Sequence, residues 1–173
     1  MVKLTYTPPG PLALMAYGLA TVTLVLDQLS KAWVLYGLKL PEVAQIPVLP
    51  FFKLSMVWNR GVSFGLLASD GIGRWLLSLF SLIVAAALIW WARSSTRPRL
   101  SIALGLLIGG AIGNAIDRIR FGAVVDFLDF SGLMFPWVFN IADAAITIGV
   151  ILLLADTFLT KDTVTVGSDA ENK

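Results

Sequence analysis

Four long apolar runs divide the chain: Leu12–Leu29, Trp75–Ala92, Leu100–Ile116 and Val138–Leu159. A helix needs about 20 mainly apolar residues to cross the hydrocarbon core of a bilayer. No charge falls between Lys3 and Asp27, and the second and third runs are uncharged. The fourth carries Asp143 and Asp156. The pattern predicts an all-α membrane protein, a bundle of four transmembrane helices. Between the first two runs, Val43–Trp58 is rich in β-branched and aromatic residues and is broken by Pro47 and Pro50. That stretch predicts a small extracytoplasmic β-sheet on the membrane surface, within a loop over 30–74. Trp33, Tyr36, Trp58 and Trp75 are expected near the interface.

Composition agrees with this reading. Of the 173 residues, 57% are hydrophobic and only 14% charged, and mean hydropathy is +0.83; soluble domains carry about 25% charged residues. One domain over 1–160 and a mobile cytoplasmic tail over 161–173 are expected. The first run is longer than a signal-peptide core, and Asp27, Gln28, Ser30 and Lys31 follow it instead of a small-residue cleavage site, so it is read as a retained span. The short loop after the second run holds Arg93, Arg97 and Arg99 and no acid, which places it and both termini in the cytoplasm. The net charge of +2 is small and spread out, with no nucleic-acid footprint.

The chain has neither cysteine nor histidine. Thiol nucleophiles, histidine triads, zinc–thiolate sites and disulfides are excluded, and no metal or cofactor is expected. Acid–base chemistry near neutral pH must then use Asp, Glu, Lys or Tyr with shifted pKa values.

The polar residues gather at the far-side ends of the spans: Asp27, Gln28 and Lys31; Asn59 and Arg60; Asn114, Asp117 and Arg118; Asp126; and Asn140, Asp143 and Thr147. Asp27 and Lys31 have the spacing of a helix-surface ion pair, and Asn140, Asp143 and Thr147 fall on one helical face. Asp117 with Arg118 suits the pinning of a span end as well as a site. Asp129 reads as a solvated loop residue and Asp156 as a helix-end charge. Gly105, Gly109 and Gly113 form a stripe for close helix packing. Asp143 differs from the other acids: it lies about a turn inside an apolar helix with no basic residue within a turn, a costly placement that marks function. Asp126 lies in the apolar run Val124–Leu128. Two carboxylates brought together share a proton and can act as base and acid, as in aspartic peptidases. Sequence does not show that these two meet.

Four blocks carry a family resemblance. They are Leu26-Asp27-Gln28-Leu29-Ser30-Lys31; Trp58-Asn59-Arg60-Gly61-Val62-Ser63-Phe64-Gly65; Gly109 through Arg118, continuing through Gly122 to Val125-Asp126-Phe127; and Phe139-Asn140-Ile141-Ala142-Asp143-Ala144-Ala145-Ile146-Thr147. In these blocks the chain closely resembles the bacterial lipoprotein signal peptidase family, signal peptidase II. The resemblance implies an aspartic endopeptidase, a hydrolase of lipoprotein processing in the bacterial inner membrane. Its substrate would be a prolipoprotein with diacylglycerol on its lipobox cysteine, cut just before that cysteine at the outer face. It implies a catalytic pair at Asp126 and Asp143, with support from Asp27, Lys31, Asn59, Gly61, Asn114, Asp117, Arg118 and Asn140. Block by globomycin, contact with membrane lipid and action as a monomer are the further expectations. A proton-coupled carrier, an assembly subunit and a serine–lysine peptidase using Ser55 or Ser63 with Lys31 or Lys53 are the rival readings.

Overall fold

A computed structural model describes residues 10–61 and 72–170, with side chains through Leu159. Val62, Ser63, Phe64 and Gly65 of the second motif block lie outside the described residues. Four long helices match the four apolar runs: α1 Pro11–Ala32, α3 Ile72–Ala92, α4 Pro98–Phe121 and α5 Ile141–Ala170. All four are long and apolar enough to cross a membrane. Pro11 and Pro98 open α1 and α4, where a missing N–H costs nothing. Gly122 closes α4 with φ +75° and donates its N–H to the Arg118 carbonyl, a conformation that favours glycine. The α5 helix continues past Leu159, where its apolar span ends, to Ala170.

α4 is the central helix and is mostly buried, while α1, α3 and α5 turn much of their surface outward. The glycine stripe explains how α1 comes so close. A Cβ at Gly105 would lie 2.7 Å from the Ala16 carbonyl oxygen, and one at Gly109 would lie 2.6 Å from that of Ala20. Gly110 faces α5 in the same way, 2.6 Å from the Ala142 carbonyl oxygen. With lipid outside, such close van der Waals packing replaces the hydrophobic drive that water would supply. Ala16, Ala20, Ala92, Leu100, Leu104 and Ile108 form the core of this contact.

After a π-helical turn, Trp33–Gly37, and a short helix α2, Leu40–Val43, the chain forms an antiparallel sheet in the order β1-β2-β3-β4. Its strands are β1 Gln45–Leu49, β2 Phe52–Asn59, β3 Val124–Asp129 and β4 Val138–Phe139. The sequence reading places a sheet over the first two strands and misses the other two. Val138 and Phe139 pair with Asp129 and Leu128, so the fourth helix starts at Ile141 rather than at 138. Between Leu54 and Val57 the β2 strand gains one residue on β3, a bulge that re-aims the strand beyond it. Past the bulge Val57 lies opposite Asp126 and Asn59 opposite Val124, so Asn59 and Asp126 share a face. Val34, Leu35, Leu40, Leu54, Val125 and Phe127 fasten the sheet to the π-helical turn and α2 that follow α1.

Sheet, α1 C-terminus, α4 C-terminus and α5 N-terminus therefore meet at one end of the bundle. At the other end Arg97 and Asp156 form an ion pair of 3.0 Å, tying the α3–α4 loop to α5.

Candidate active site

Asp126 stands on β3, an inner strand of the sheet, and is 1% exposed. Asp143 stands in the first turn of α5 and is half-buried. Asn140 connects them. Its Nδ2 donates to Asp126 Oδ1 at 2.7 Å, and its Oδ1 accepts the Asp143 backbone N–H at 2.8 Å. The second bond makes Asn140 the N-cap of α5, since it satisfies a donor that no intrahelical carbonyl reaches. Asn140 thus precedes the helix instead of sharing a helical face with Asp143 and Thr147, as the spacing suggests. Asn114, on α4, donates Nδ2 to Asp143 Oδ1 at 2.7 Å, and its Oδ1 also receives Asn140 Nδ2 at 3.2 Å.

Asn59 completes the surroundings of Asp126. Its Oδ1 accepts the Gly61 N–H at 2.9 Å, which fixes the amide so that Nδ2 points to Asp126 Oδ2 at 3.0 Å. Gly61 has φ +84°, and a Cβ there would meet Leu77, so the turn that aims Asn59 favours glycine. Both oxygens of Asp126 thus accept amide hydrogens. Burial, and next the charge of Asp143, push the Asp126 carboxyl up to about 6, against the amides of Asn59 and Asn140 and the charge of Lys31. Arg118 also feels Asp143, Asp126 and Asp117. Its Nη1 reaches the Asn114 carbonyl at 3.4 Å, and its Nε is buried without a partner.

Beneath this pair lies a charged layer. Lys31, 2% exposed, contacts Asp27 Oδ2 and Asp117 Oδ2, each at 2.8 Å. The expected Asp27–Lys31 pair is present, but Lys31 also takes Asp117, which the sequence reading sets beside Arg118. Gln28 is part of the same layer, although sequence gives it no separate role. Its Nε2 lies 3.1 Å from both Asp27 Oδ2 and Asp117 Oδ1. A polar residue directly after Asp27 at a span end was the available signal.

Other candidates fall away from the cluster. Asp129 is not a solvated loop residue; it ends β3 and is buried, accepting the Ser55 hydroxyl at 2.6 Å and the Ser131 N–H at 2.9 Å. These bonds hold its carboxyl below the usual range. Ser55 is committed to Asp129, and Lys31 to Asp27 and Asp117, so no serine–lysine pair forms from those two; Ser63 lies outside the described residues. Among the described residues no three carboxylates converge as metal ligands.

Two apolar hollows end on Asp143. One, about 350 Å³, runs between α3, α4 and α5 from Leu107 and Leu88 up to Asn114, Arg118 and Asp143. The other, about 320 Å³, is lined by Phe135, Phe139, Asp143, Ala144, Thr147 and Ile148. The fold and this end define a class: a multi-pass membrane protein whose buried polar cluster opens sideways onto apolar grooves.

Comparison with known proteins narrows the class to a family. The family model described as Signal peptidase (SPase) II matches residues 19–159. A lipoprotein signal peptidase of Caulobacter vibrioides is 53% identical over 149 residues, 86% of this chain and 89% of that protein. One from Rhodopseudomonas palustris (strain TIE-1) is 48% identical, covering 81% of this chain and 89% of its own. A bacterial membrane enzyme solved by the in meso method at 2.3 Å superposes with a TM-score of 0.73 at 28% identity, over 91% of this chain and 94% of that one. The chain belongs to the signal peptidase II family and is a membrane peptidase that removes signal peptides from prolipoproteins.

Proposed function

We propose that the chain is an aspartic endopeptidase in which Asp126 and Asp143 form the catalytic pair. The observation that carries this reading is one asparagine network: Asn140 holds the Asp126 carboxylate and the Asp143 backbone N–H, and Asn114, bonded to Asn140, holds the Asp143 carboxylate at the mouth of apolar grooves. One acid is ionised and takes a proton from water as the water oxygen bonds to the scissile carbonyl carbon. The other, protonated, gives its proton to the carbonyl oxygen. The tetrahedral adduct collapses, the C–N bond breaks, and the leaving nitrogen recovers a proton from the pair. Asn114, Asn59 and Asn140 hold the carboxylates in place, and Arg118 supplies positive charge where oxyanion character develops. Neither step uses a thiol or an imidazole, which the chain lacks.

The substrate in this reading is a diacylglyceryl-modified prolipoprotein, cut just before the lipidated cysteine. Its acyl chains stay in the bilayer, so the scissile bond lies near the interface, at the depth of the α5 N-terminus. The basic loop Arg93, Arg97 and Arg99 sets that end on the outer side of the inner membrane, with both termini in the cytoplasm. The enzyme works as a monomer and is blocked by globomycin.

Purified Asp126→Asn and Asp143→Asn variants, assayed on a lipidated prolipoprotein peptide, test the reading. Each is expected to lose roughly a thousandfold or more in cleavage while keeping its fold. Full activity in either variant overturns it.

A further inference from the structure

The charged layer under Asp126 and Asp143 is wired to the backbone beside each of them. Asp27 uses Oδ2 for Lys31 and Gln28, and its Oδ1 accepts the Ala142 N–H at 2.9 Å, one residue before Asp143. Asp117 uses Oδ2 for Lys31, and the same oxygen accepts the Val125 N–H at 3.1 Å, one residue before Asp126. Gln28 closes the layer by bridging Asp27 and Asp117 and reaching the Gly113 carbonyl at 3.3 Å. A third line runs through Asn114. Its Oδ1 receives Lys31 Nζ at 3.2 Å, and a cation there dictates that the other end of the amide, Nδ2, is the one presented to Asp143.

We propose that Gln28 and Lys31 are positioning residues: a clamp on Asp27 and Asp117 that sets the separation and orientation of Asp126 and Asp143. The inference rests on the reading of Asp126 and Asp143 as the catalytic pair. Neither clamp residue touches the pair directly. Asp27 governs the entry of α5 and Asp117 the course of β3, two elements whose starts are 17 positions apart in sequence (Val124 to Ile141) and which Asn140 joins at the site. Gly113 lets the clamp sit flush on α4, since a Cβ there would lie 2.5 Å from Asp27 Oδ2. The layer carries one cation for two carboxylates, so removing Lys31 alone leaves two buried like charges and destabilises the fold.

Gln28→Leu is therefore the cleaner test, because it removes the bridging donor without changing charge. Lys31→Met combined with Asp117→Asn removes cation and one anion together and leaves the layer's net charge as it was. Both variants are measured for melting temperature, for kcat and KM on a lipidated peptide, and for amide hydrogen exchange at Ala142 and Val125. A positioning role predicts faster exchange at both amides and a kcat lower by roughly tenfold to hundredfold, with KM nearly unchanged. Lys31→Arg, which keeps the cation, recovers more of kcat than the double variant does. A merely structural role lowers the melting temperature and leaves the kcat of folded enzyme alone; that result overturns the proposal, as does unchanged exchange. Failure of the catalytic-pair reading looks different: Asp126→Asn or Asp143→Asn still cleaves, while Gln28→Leu still speeds exchange.

Discussion

Asn140 and Asp126 are joined amide nitrogen to carboxylate oxygen at 2.7 Å, and the same asparagine caps the helix that carries Asp143. One side chain thus fixes a strand residue against a helix start. Replacing it with Ala removes both functions. Stability is expected to fall by about 1–2 kcal/mol, the range for loss of an N-cap, and cleavage by roughly a hundredfold. Asn140→Ser separates the two, because a serine hydroxyl caps a helix but cannot also donate across to Asp126. It recovers most of the melting temperature and little of the rate. Recovery of both by Ser would show that only the cap matters.

Asp126 has a pH signature of its own. Its carboxyl sits at about 6 in the fold against an ordinary 3.8, so between these values the folded state binds more protons than the unfolded one. Its contribution favours the fold at low pH and is lost as pH rises through about 6. In a series of melting curves from pH 4 to 8, wild type and Asp126→Asn are expected to diverge across that window. The difference attributable to this group is on the order of 2 kcal/mol. Because Asp126 holds its proton against the charge of Asp143, loss of that proton removes the acid of the pair, and the same titration places the alkaline limb of kcat/KM near pH 6. Asn59→Leu removes an amide that lowers the value, so it moves that limb upward. A downward move, or none, contradicts the role given to Asn59.

Helix packing offers a test away from the chemistry. A Cβ at Gly109 would lie 2.6 Å from the Ala20 carbonyl oxygen and 2.7 Å from Thr23 Cβ. Neither neighbour is a flexible side-chain tip, so Gly109→Ala must push α1 off α4. A loss of about 1–3 kcal/mol in a reversible unfolding assay is expected, with less effect from Gly18→Ala, where open space surrounds the added atom. Equal tolerance at both positions would mean that the stripe is not a contact surface.

Much of this architecture was legible beforehand, for identifiable reasons. Apolar runs of bilayer length fix spans almost by themselves, because lipid leaves few other solutions. Glycines at 105, 109 and 113 announced a close contact but not the helix that makes it. The sheet was legible only where turn residues flanked it. β3 hid in a run, Val124–Leu128, that carries no alternation because the strand is buried on both faces. β4 is two residues long and reads as the start of the next span. The polar cluster could be listed from sequence, but its wiring could not. Spacing joins Asp27 to Lys31 and leaves Asp117 beside Arg118, whereas only the folded chain brings Lys31 to Asp117 across 86 positions. Asn140 shows the same limit: three residues before Asp143 it fits a shared helical face or a cap equally well, and the strand pairing of Phe139 decides for the cap.

The hollow between α3, α4 and α5 supplies the last prediction. Its lining runs from Leu107 and Ala111 at depth to Asn114, Arg118 and Asp143 at the mouth, so an apolar segment of substrate lying in it would bring its polar end to the acids. Ala111→Phe places a ring inside a space of about 350 Å³ and leaves both acids in the sequence unchanged. The melting temperature should hold or rise, since the ring fills a void. KM for a lipidated peptide should increase roughly tenfold or more, equivalent to about 1.4 kcal/mol or more of lost apolar burial. Thr21→Phe is the matched control. It fills a similar hollow of about 300 Å³ lined by Tyr17, Leu24, Ile89 and Ile112, which no acid reaches. That variant should cleave as wild type does. If the two substitutions slow cleavage equally, the effect is one of general bundle packing, and the groove at Asp143 is not where the substrate lies.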